Sequence, residues 1–203
     1  MPASCGFLRP SVFNWDKTRL FRVLLVERPF KTQKGEGRSI ETDLFERLFR
    51  AYADTIYRIA LNYTRNPQDA EDVAQNALLR CLRADQAFES DEHMRNWAIR
   101  VAVNESKRWL GAPWRRLLAG AQPADAAFLQ DAGLEPAAQE LWETLMRLPE
   151  KYRVPLYLFY YEGQSTGQIA EALDLSVSGV TTRLARGRKK LKNALKGEFE
   201  DDE

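Results

Sequence analysis

Apolar residues recur at helical spacing along most of this chain. Leu44, Phe45, Leu48, Phe49, Tyr52, Ile56, Ile59, Ala60 and Tyr63 line one stripe, which predicts an amphipathic helix of roughly five turns. Asn66-Pro67 breaks it. Asp69, Glu71 and Asp72 then load the start of a second helix with negative charge, where the helix dipole favours it. Its apolar positions are Val73, Ala77, Leu78, Cys81 and Leu82. A loop from Phe88 to Met94 separates it from a third helix, Trp97 to Leu110. Residues 111–138 change character: Gly111, Pro113, Gly120, Pro123, Gly133 and Pro136 among many alanines predict a flexible linker. Periodicity resumes at Leu141, Leu145 and Leu148, stops at Pro149, and returns with Val154, Leu156, Leu158 and Phe159. Pro155 is tolerable in that helix if it falls in the first turn. No segment alternates apolar and polar residues as a strand does. The expected fold is all-α: two small helical domains, residues 41–110 and 139–197, joined by a flexible linker at 111–138.

The C-terminal pattern carries the most chemistry. Residues 164–196 read QSTGQIAEALDLSVSGVTTRLARGRKKLKNALK. A short helical pattern (Ile169, Ala170, Leu173) meets the three-residue break Asp174-Leu175-Ser176. A longer helix follows, with Val180, Leu184, Gly187, Leu191 and Leu195 on one stripe. Helices joined by so short a turn predict a helix-turn-helix, whose second helix enters a DNA major groove. Ala170 suits a crossing point with no room for a larger side chain, and Ser176 is placed to cap the second helix. From Val177 to Lys196 that helix holds seven cations (Arg183, Arg186, Arg188, Lys189, Lys190, Lys192 and Lys196) and no acid. Clustered cations on one element make a footprint for phosphate. A basic run alone fits a solvated face equally well; the helix-turn-helix spacing ahead of it favours DNA.

Composition adds limits. The 203 residues are 44% hydrophobic and 29% charged, a globular balance with room for one or two cores. The formal net charge is only +1. An acidic tail, residues 198–203, follows the basic helix and reads as a solubilising end. Residues 1–40 form an irregular N-terminal extension with eight basic residues and three acids, net +5. Their aromatics and acids argue against a targeting segment, and part of this stretch reads as a start-site extension. Cys5 and Cys81 lie far apart and His93 is the single histidine, so spacing offers no metal-ligand set. No metal and no cofactor is expected. Cys81 sits in an apolar helical run and reads as a core residue, in keeping with a reducing cytoplasm. No apolar stretch nears the ~20 residues needed to cross a bilayer, so no membrane insertion is expected. Without a Gly-rich phosphate loop or a nucleophile–base motif, an enzyme is not expected.

Two stretches resemble a known family. FERLFRAYADTIYRIALNYTRNPQDAEDVAQNALLRCLRA is similar to region two of bacterial sigma factors, and LMRLPEKYRVPLYLFYYEGQSTGQIAEALDLSVSGVTTRLARGRKKL to region four. Two such regions with little between them resemble the small extracytoplasmic-function (ECF) group of the sigma-70 superfamily, over about residues 41–110 and 139–196. The resemblance implies a subunit that binds core RNA polymerase through its clamp and flap elements, directs it to promoter DNA and helps melt the duplex. An anti-sigma factor is a further expected partner.

The resemblance also assigns residues. Asp69-Ala70-Glu71-Asp72-Val73-Ala74-Gln75 resembles the segment that faces the polymerase clamp, though its last spacing is Asp-x-x-Gln where the family has Asp-x-x-x-Gln, and Asp69, Asp72 and Gln75 recur on one helix face. The two acids also simply suit a helix N-terminus, and the family often has Glu where Asn76 stands. The loop from Phe88 to Met94 should receive a base flipped from the −10 element, with Arg100, Asn104, Lys107 and Arg108 along the neighbouring helix. Unstacking a base costs a few kcal/mol, so a pocket and cationic backbone contacts are needed to offset it. Asp91 and Glu92 make this loop acidic, and Met94 replaces a common Phe. Trp97 matches a family tryptophan and reads as core packing. In region four, Ser178, Thr181 and Thr182 should face the −35 element, with Arg183, Arg186 and Lys189 reaching phosphates or a guanine edge. The family commonly has Lys at Thr181 and Gly at Asp174, although Asp tolerates left-handed geometry. The linker's Pro113-Trp114-Arg115-Arg116 either threads a polymerase channel or anchors Trp114 on region two.

Two rivals make different predictions. A dimeric one-component regulator would bind a palindrome tightly without polymerase. A helical adaptor whose basic helix meets an acidic partner would show no promoter selectivity.

Overall fold

The computed structural model describes residues 38–84, 87–112 and 136–197, with side chains from residue 45 onward. The extension before residue 38, the Pro113–Arg116 motif, the acidic tail and Cys5 lie outside the described residues. Seven helices, and no strand, make up what is described: α1 (Arg38–Thr64), α2 (Pro67–Arg83), α3 (Asp91–Leu110), α4 (Pro136–Arg147), α5 (Glu150–Tyr160), α6 (Thr166–Leu173) and α7 (Val177–Leu195).

The first three helices pack as one unit. Phe45, Leu48, Phe49, Ile56 and Ile59 of α1 bury against Val73 and Leu78 of α2 and Ile99 and Val103 of α3. Alanines at 60, 70, 74, 77, 98 and 102 are fully enclosed, so these backbones approach closely. Cys81 lies in this core as expected, and burial pushes its thiol pKa up to about 12.

The break between α1 and α2 has a clear local cause. Arg65 takes a left-handed backbone (φ 57°), and the Asn66 side chain accepts from the Gln68 and Asp69 N–H groups at 2.9 and 3.1 Å. Pro67 follows at the first helical position, where its missing N–H has no helical acceptor to serve.

Three boundaries differ from the sequence reading. Helix α1 runs 27 residues from Arg38, well beyond five turns and into the stretch read as irregular. Helix α3 starts at Asp91 rather than Trp97, because Ser90 accepts from the His93 N–H at 3.1 Å and two acids occupy the first turn. The expected base-receiving loop is therefore shorter, and Met94 is a buried helical residue. At the other end of the linker, α4 begins at Pro136, inside the stretch assigned to it.

The second unit is α4 to α7. Trp142 and Leu145 of α4, Val154, Leu156 and Leu158 of α5, Ile169 and Leu173 of α6, and Val180 and Leu184 of α7 form its core. Pro155 lies in the second turn of α5, not the first. Lys151, whose carbonyl loses that donor, is exposed, so the helix continues with water available to the orphaned group. Buried apolar residues run without a gap from one unit to the other, with α5 packed on α1 and α6 on α3.

Candidate nucleic-acid interface

The helix-turn-helix is built from α6 and α7, and its capping is complete at each step. Ser165 and Gln168 form a reciprocal capping box at the start of α6, with bonds of 3.2 and 2.8 Å. Asp174 ends α6 in the left-handed conformation (φ 59°, ψ 54°), and Ser176 caps α7 by accepting from the Gly179 N–H at 3.1 Å. Ala170 is buried at the crossing, as its size requires.

Helix α7 then presents two faces. Val180, Leu184 and Gly187 are buried; a β-carbon on Gly187 would sit 3.0 Å from Leu156 Cδ1 and 3.3 Å from Tyr152 Cβ. Leu191 is half-buried, while Leu195 is exposed, so the apolar stripe ends a turn early. Ser178, Thr181, Thr182, Arg186 and Lys189 are all exposed on the outer side, and Arg183 is half-buried. The Thr181 and Thr182 hydroxyls donate to the Val177 and Ser178 carbonyls at 3.0 and 2.9 Å. Their hydrogens are thus engaged within the helix, leaving oxygen lone pairs and methyl groups outward. Such groups accept from a base amino group or contact a thymine methyl.

Helix α3 carries the second predicted set. Arg100 and Lys107 are half-buried, and Asn104 and Arg108 are exposed on the same side. Phe88 is half-buried, packed edge-on against Trp97 and His93 with ring centroids 5.3 and 5.7 Å away. Trp97 packs against the core, as its sequence context suggested. On α2, Asp72 is exposed and Asp69 and Gln75 are half-buried, alternating with the buried Ala70, Val73 and Ala74. The three therefore lie on the side of α2 turned away from the core.

Distance separates these sets less than the linker suggested. Arg100 Nη1 lies 2.6 Å from Glu171 Oε1, and Lys107 Nζ donates to the Leu173 carbonyl at 2.8 Å. Both partners belong to α6. Gln168, beyond its capping role, donates to Glu92 at 3.0 Å.

Two further residues join the units, and the sequence reading passed over both. Arg153 is 1% exposed; its guanidinium donates to the carbonyls of Asn62 (2.8 Å), Leu148 (2.7 Å) and Met146 (3.2 Å). It thereby caps the C-terminal ends of α1 and α4 together, where the helix dipoles favour a cation. Burial, reinforced by nearby Arg65, pulls its pKa down to about 9, so it stays charged at neutral pH. Glu162 is buried and accepts from Thr55 (3.2 Å), Tyr157 (2.7 Å) and Arg95 (3.2 Å). The signal for Arg153 was available: a single cation inside the apolar run Tyr152 to Tyr161 must find acceptors.

Among the described residues there is no cluster of metal-binding side chains and no helix long and apolar enough to cross a membrane. A helix-turn-helix with a cationic outer face, carried beside a second helical unit, is the arrangement of a DNA-binding protein. Comparison with known proteins is specific. The Sigma-70 region 2 family matches residues 48–116, and the Sigma-70, region 4 family matches residues 138–191. A probable RNA polymerase sigma factor, RfaY, of Xanthomonas campestris is 32% identical over 77% of this chain, which spans 41% of that relative's length. The ECF RNA polymerase sigma factor SigW of Bacillus subtilis is 26% identical over 86% of this chain and 98% of its own. The fold is shared with the sigma factor RpoE of Bartonella quintana, solved with the anti-sigma factor NepR (TM-score 0.61, 18% identity, 75% of this chain and 96% of that one). The chain belongs to the sigma-70 family, in its ECF group, whose members are RNA polymerase subunits for promoter recognition and transcription initiation.

Proposed function

We propose that this ECF sigma factor works in the cytoplasm as a non-catalytic subunit whose tasks are divided among three side-chain sets. Asp69, Asp72 and Gln75 dock the polymerase clamp; Phe88, Arg100, Asn104, Lys107 and Arg108 hold the −10 strand; the outer face of α7 reads the −35 element. The polymerase performs the chemistry, and this chain supplies address and melting. An anti-sigma factor, the kind of partner that accompanies the Bartonella neighbour, is the regulator we assign to it.

The observation that carries this reading is the division of α7. Its apolar stripe is consumed by packing on α5, while Ser178, Thr181, Thr182, Arg186 and Lys189 stay exposed together. A helix held that way offers side chains to base edges and cations to phosphates in one approach. Run-off transcription with bacterial core polymerase on a promoter library tests it. Transcripts sharing spaced −35 and −10 elements are expected only when the protein is present. Arg186→Ala should lower them by roughly tenfold, the scale of about 1–3 kcal/mol for one side-chain contact to a base. Tight binding to a palindrome by the protein alone, with no core-dependent initiation, would replace this reading with a dimeric regulator.

A further inference from the structure

We propose that this chain reads its −35 element through thymine methyl groups, with Val177, Thr181, Thr182 and Ala185 as the reading patch on the N-terminal half of α7. The inference rests on the assignment of α7 to the −35 element and adds the chemistry of the bases taken there.

The outer side of α7 changes character along its length. Val177 is 51% exposed, and Ser178, Thr181, Thr182 and Ala185 are exposed with it. The last four stand at i, i+3, i+4 and i+7, so they share one face, and Val177 flanks it one turn before Thr181. None of these five is charged. The cation within this half, Arg183, is half-buried beside the stripe of Val180 and Gly187. Exposed cations on the outer side begin at Arg186 and continue with Lys189 and Lys192. A recognition helix reaches base edges with its N-terminal residues. Small neutral side chains therefore meet the bases first, and the cations follow toward phosphates, which carry no sequence information.

Hydrogen bonding within the helix narrows what the patch can recognise. Thr181 and Thr182 give their hydroxyl hydrogens to the Val177 and Ser178 carbonyls, at 3.0 and 2.9 Å. Each keeps an acceptor oxygen and a methyl group, while Val177 and Ala185 add methyl groups only. Guanine presents two acceptors, O6 and N7, and needs a donor; an A·T pair presents an amino donor on adenine and a methyl on thymine. The patch complements an A·T pair on both counts, and neither threonine has a donor for guanine. Ser178 is arranged differently, 3.1 Å from the Ser176 Oγ that accepts from the Gly179 N–H. A lone exposed valine is ordinary surface. Four methyl-bearing residues together, on the part of a recognition helix that reaches the bases, are a reading surface. From Val177 to Ala185 the helix rises about 12 Å, room for about three or four base pairs at ~3.4 Å each.

The test uses the full chain assembled with bacterial core polymerase, and the promoter duplex most enriched from a library randomised in the −35 element. Enriched duplexes should share a short A·T run there. Each thymine of that run is then replaced by deoxyuridine, which removes the methyl and keeps the base pairing. Fluorescence anisotropy with the labelled duplex should show binding roughly three- to fourfold weaker for each contacted methyl, the transfer gain of one buried carbon. Thr181→Ser, Thr182→Ser and Val177→Ala remove methyl groups from the protein at exposed positions without changing charge. At the contacted thymine each should blunt the deoxyuridine effect, the non-additivity of a direct pair. Enrichment of G·C pairs in place of the A·T run, or deoxyuridine duplexes bound as tightly as thymine ones, would overturn the methyl reading. So would a deoxyuridine loss of the same size in all three variants, because the methyl would then act through the DNA and not through α7. Where Arg186→Ala still weakens binding, these results reject the methyl patch and keep the −35 assignment. A library that enriches no −35 element, or binding indifferent to Arg186→Ala, would overturn that assignment and this inference with it.

Discussion

Arg153→Met probes whether one buried guanidinium holds the two units together. Methionine fills a similar volume and removes the charge, so the change isolates the hydrogen bonds. Three carbonyls lose Arg153 as donor. Leu148 keeps another, because Arg65 Nη2 also donates to it at 3.0 Å. The Asn62 and Met146 carbonyls have Arg153 as their donor at 2.8 and 3.2 Å. A buried acceptor left unsatisfied costs about 1–3 kcal/mol, which gives about 2–6 kcal/mol for the pair. Against this stands the relief of the guanidinium's own desolvation, a penalty that can reach several kcal/mol for a buried ion. Burial and nearby Arg65 lower its pKa to about 9, with Glu150 acting the other way, so the group stays charged in the fold. The expected net loss is about 2–4 kcal/mol. Urea denaturation followed by tryptophan fluorescence measures it, since Trp97 reports the first unit and Trp142 the second. Loss of the shared clamp should also split one transition into two. A variant within about 0.5 kcal/mol of the parent, the usual range for surface changes, would refute the reasoning: the carbonyls would then have found other donors, or the charge would have been a net burden.

Two more perturbations separate packing from electrostatics. Gly187→Leu should destabilise the second unit by about 1–3 kcal/mol despite better helix propensity, because even a β-carbon meets Leu156 at 3.0 Å. It should also tilt α7 and reduce transcription from −35-dependent promoters; unchanged urea midpoint and activity would show that α5 and α7 are not tightly apposed. Cys81, with its pKa raised from the ordinary 9.0 to about 12 by burial, should resist iodoacetamide at pH 8 in the folded protein and react once it is unfolded. Because the folded value lies above the unfolded one, its contribution to stability is complete below about pH 9 and is lost as pH rises from 9 toward 12. Peptide mass mapping distinguishes it from Cys5, and rapid labelling of native Cys81 would contradict its enclosure.

What the sequence could reveal was set by the range of the interactions involved. The stripe on α1, the Asn66-Pro67 break, the Ser176 cap and the left-handed Asp174 are decided within one or two turns, so residue order alone discloses them. The start of α3 is also local, but there the cap at Ser90 and the acids after it outweigh the loop-like look of residues 88–94. Pro155 shows the opposite limit. Its tolerance in the second turn draws on the tertiary burial of Tyr152 to Leu158, which no propensity scale records.

The candidate site divides along the same line. Exposure of Ser178, Thr181, Thr182, Arg186 and Lys189 follows from the 3.6-residue period once the apolar stripe of α7 is known, so this face could be read directly. The fate of Arg100 and Lys107 could not, because their partners lie 71 and 66 positions away, at Glu171 and Leu173. A cation next to a DNA-facing position looks the same in sequence whether it awaits a phosphate or already holds a carboxylate. Family resemblance cannot distinguish these states either, since it describes what a residue meets in the working complex. The free protein must satisfy the same charges without DNA or polymerase, and here its own second domain supplies the counter-groups.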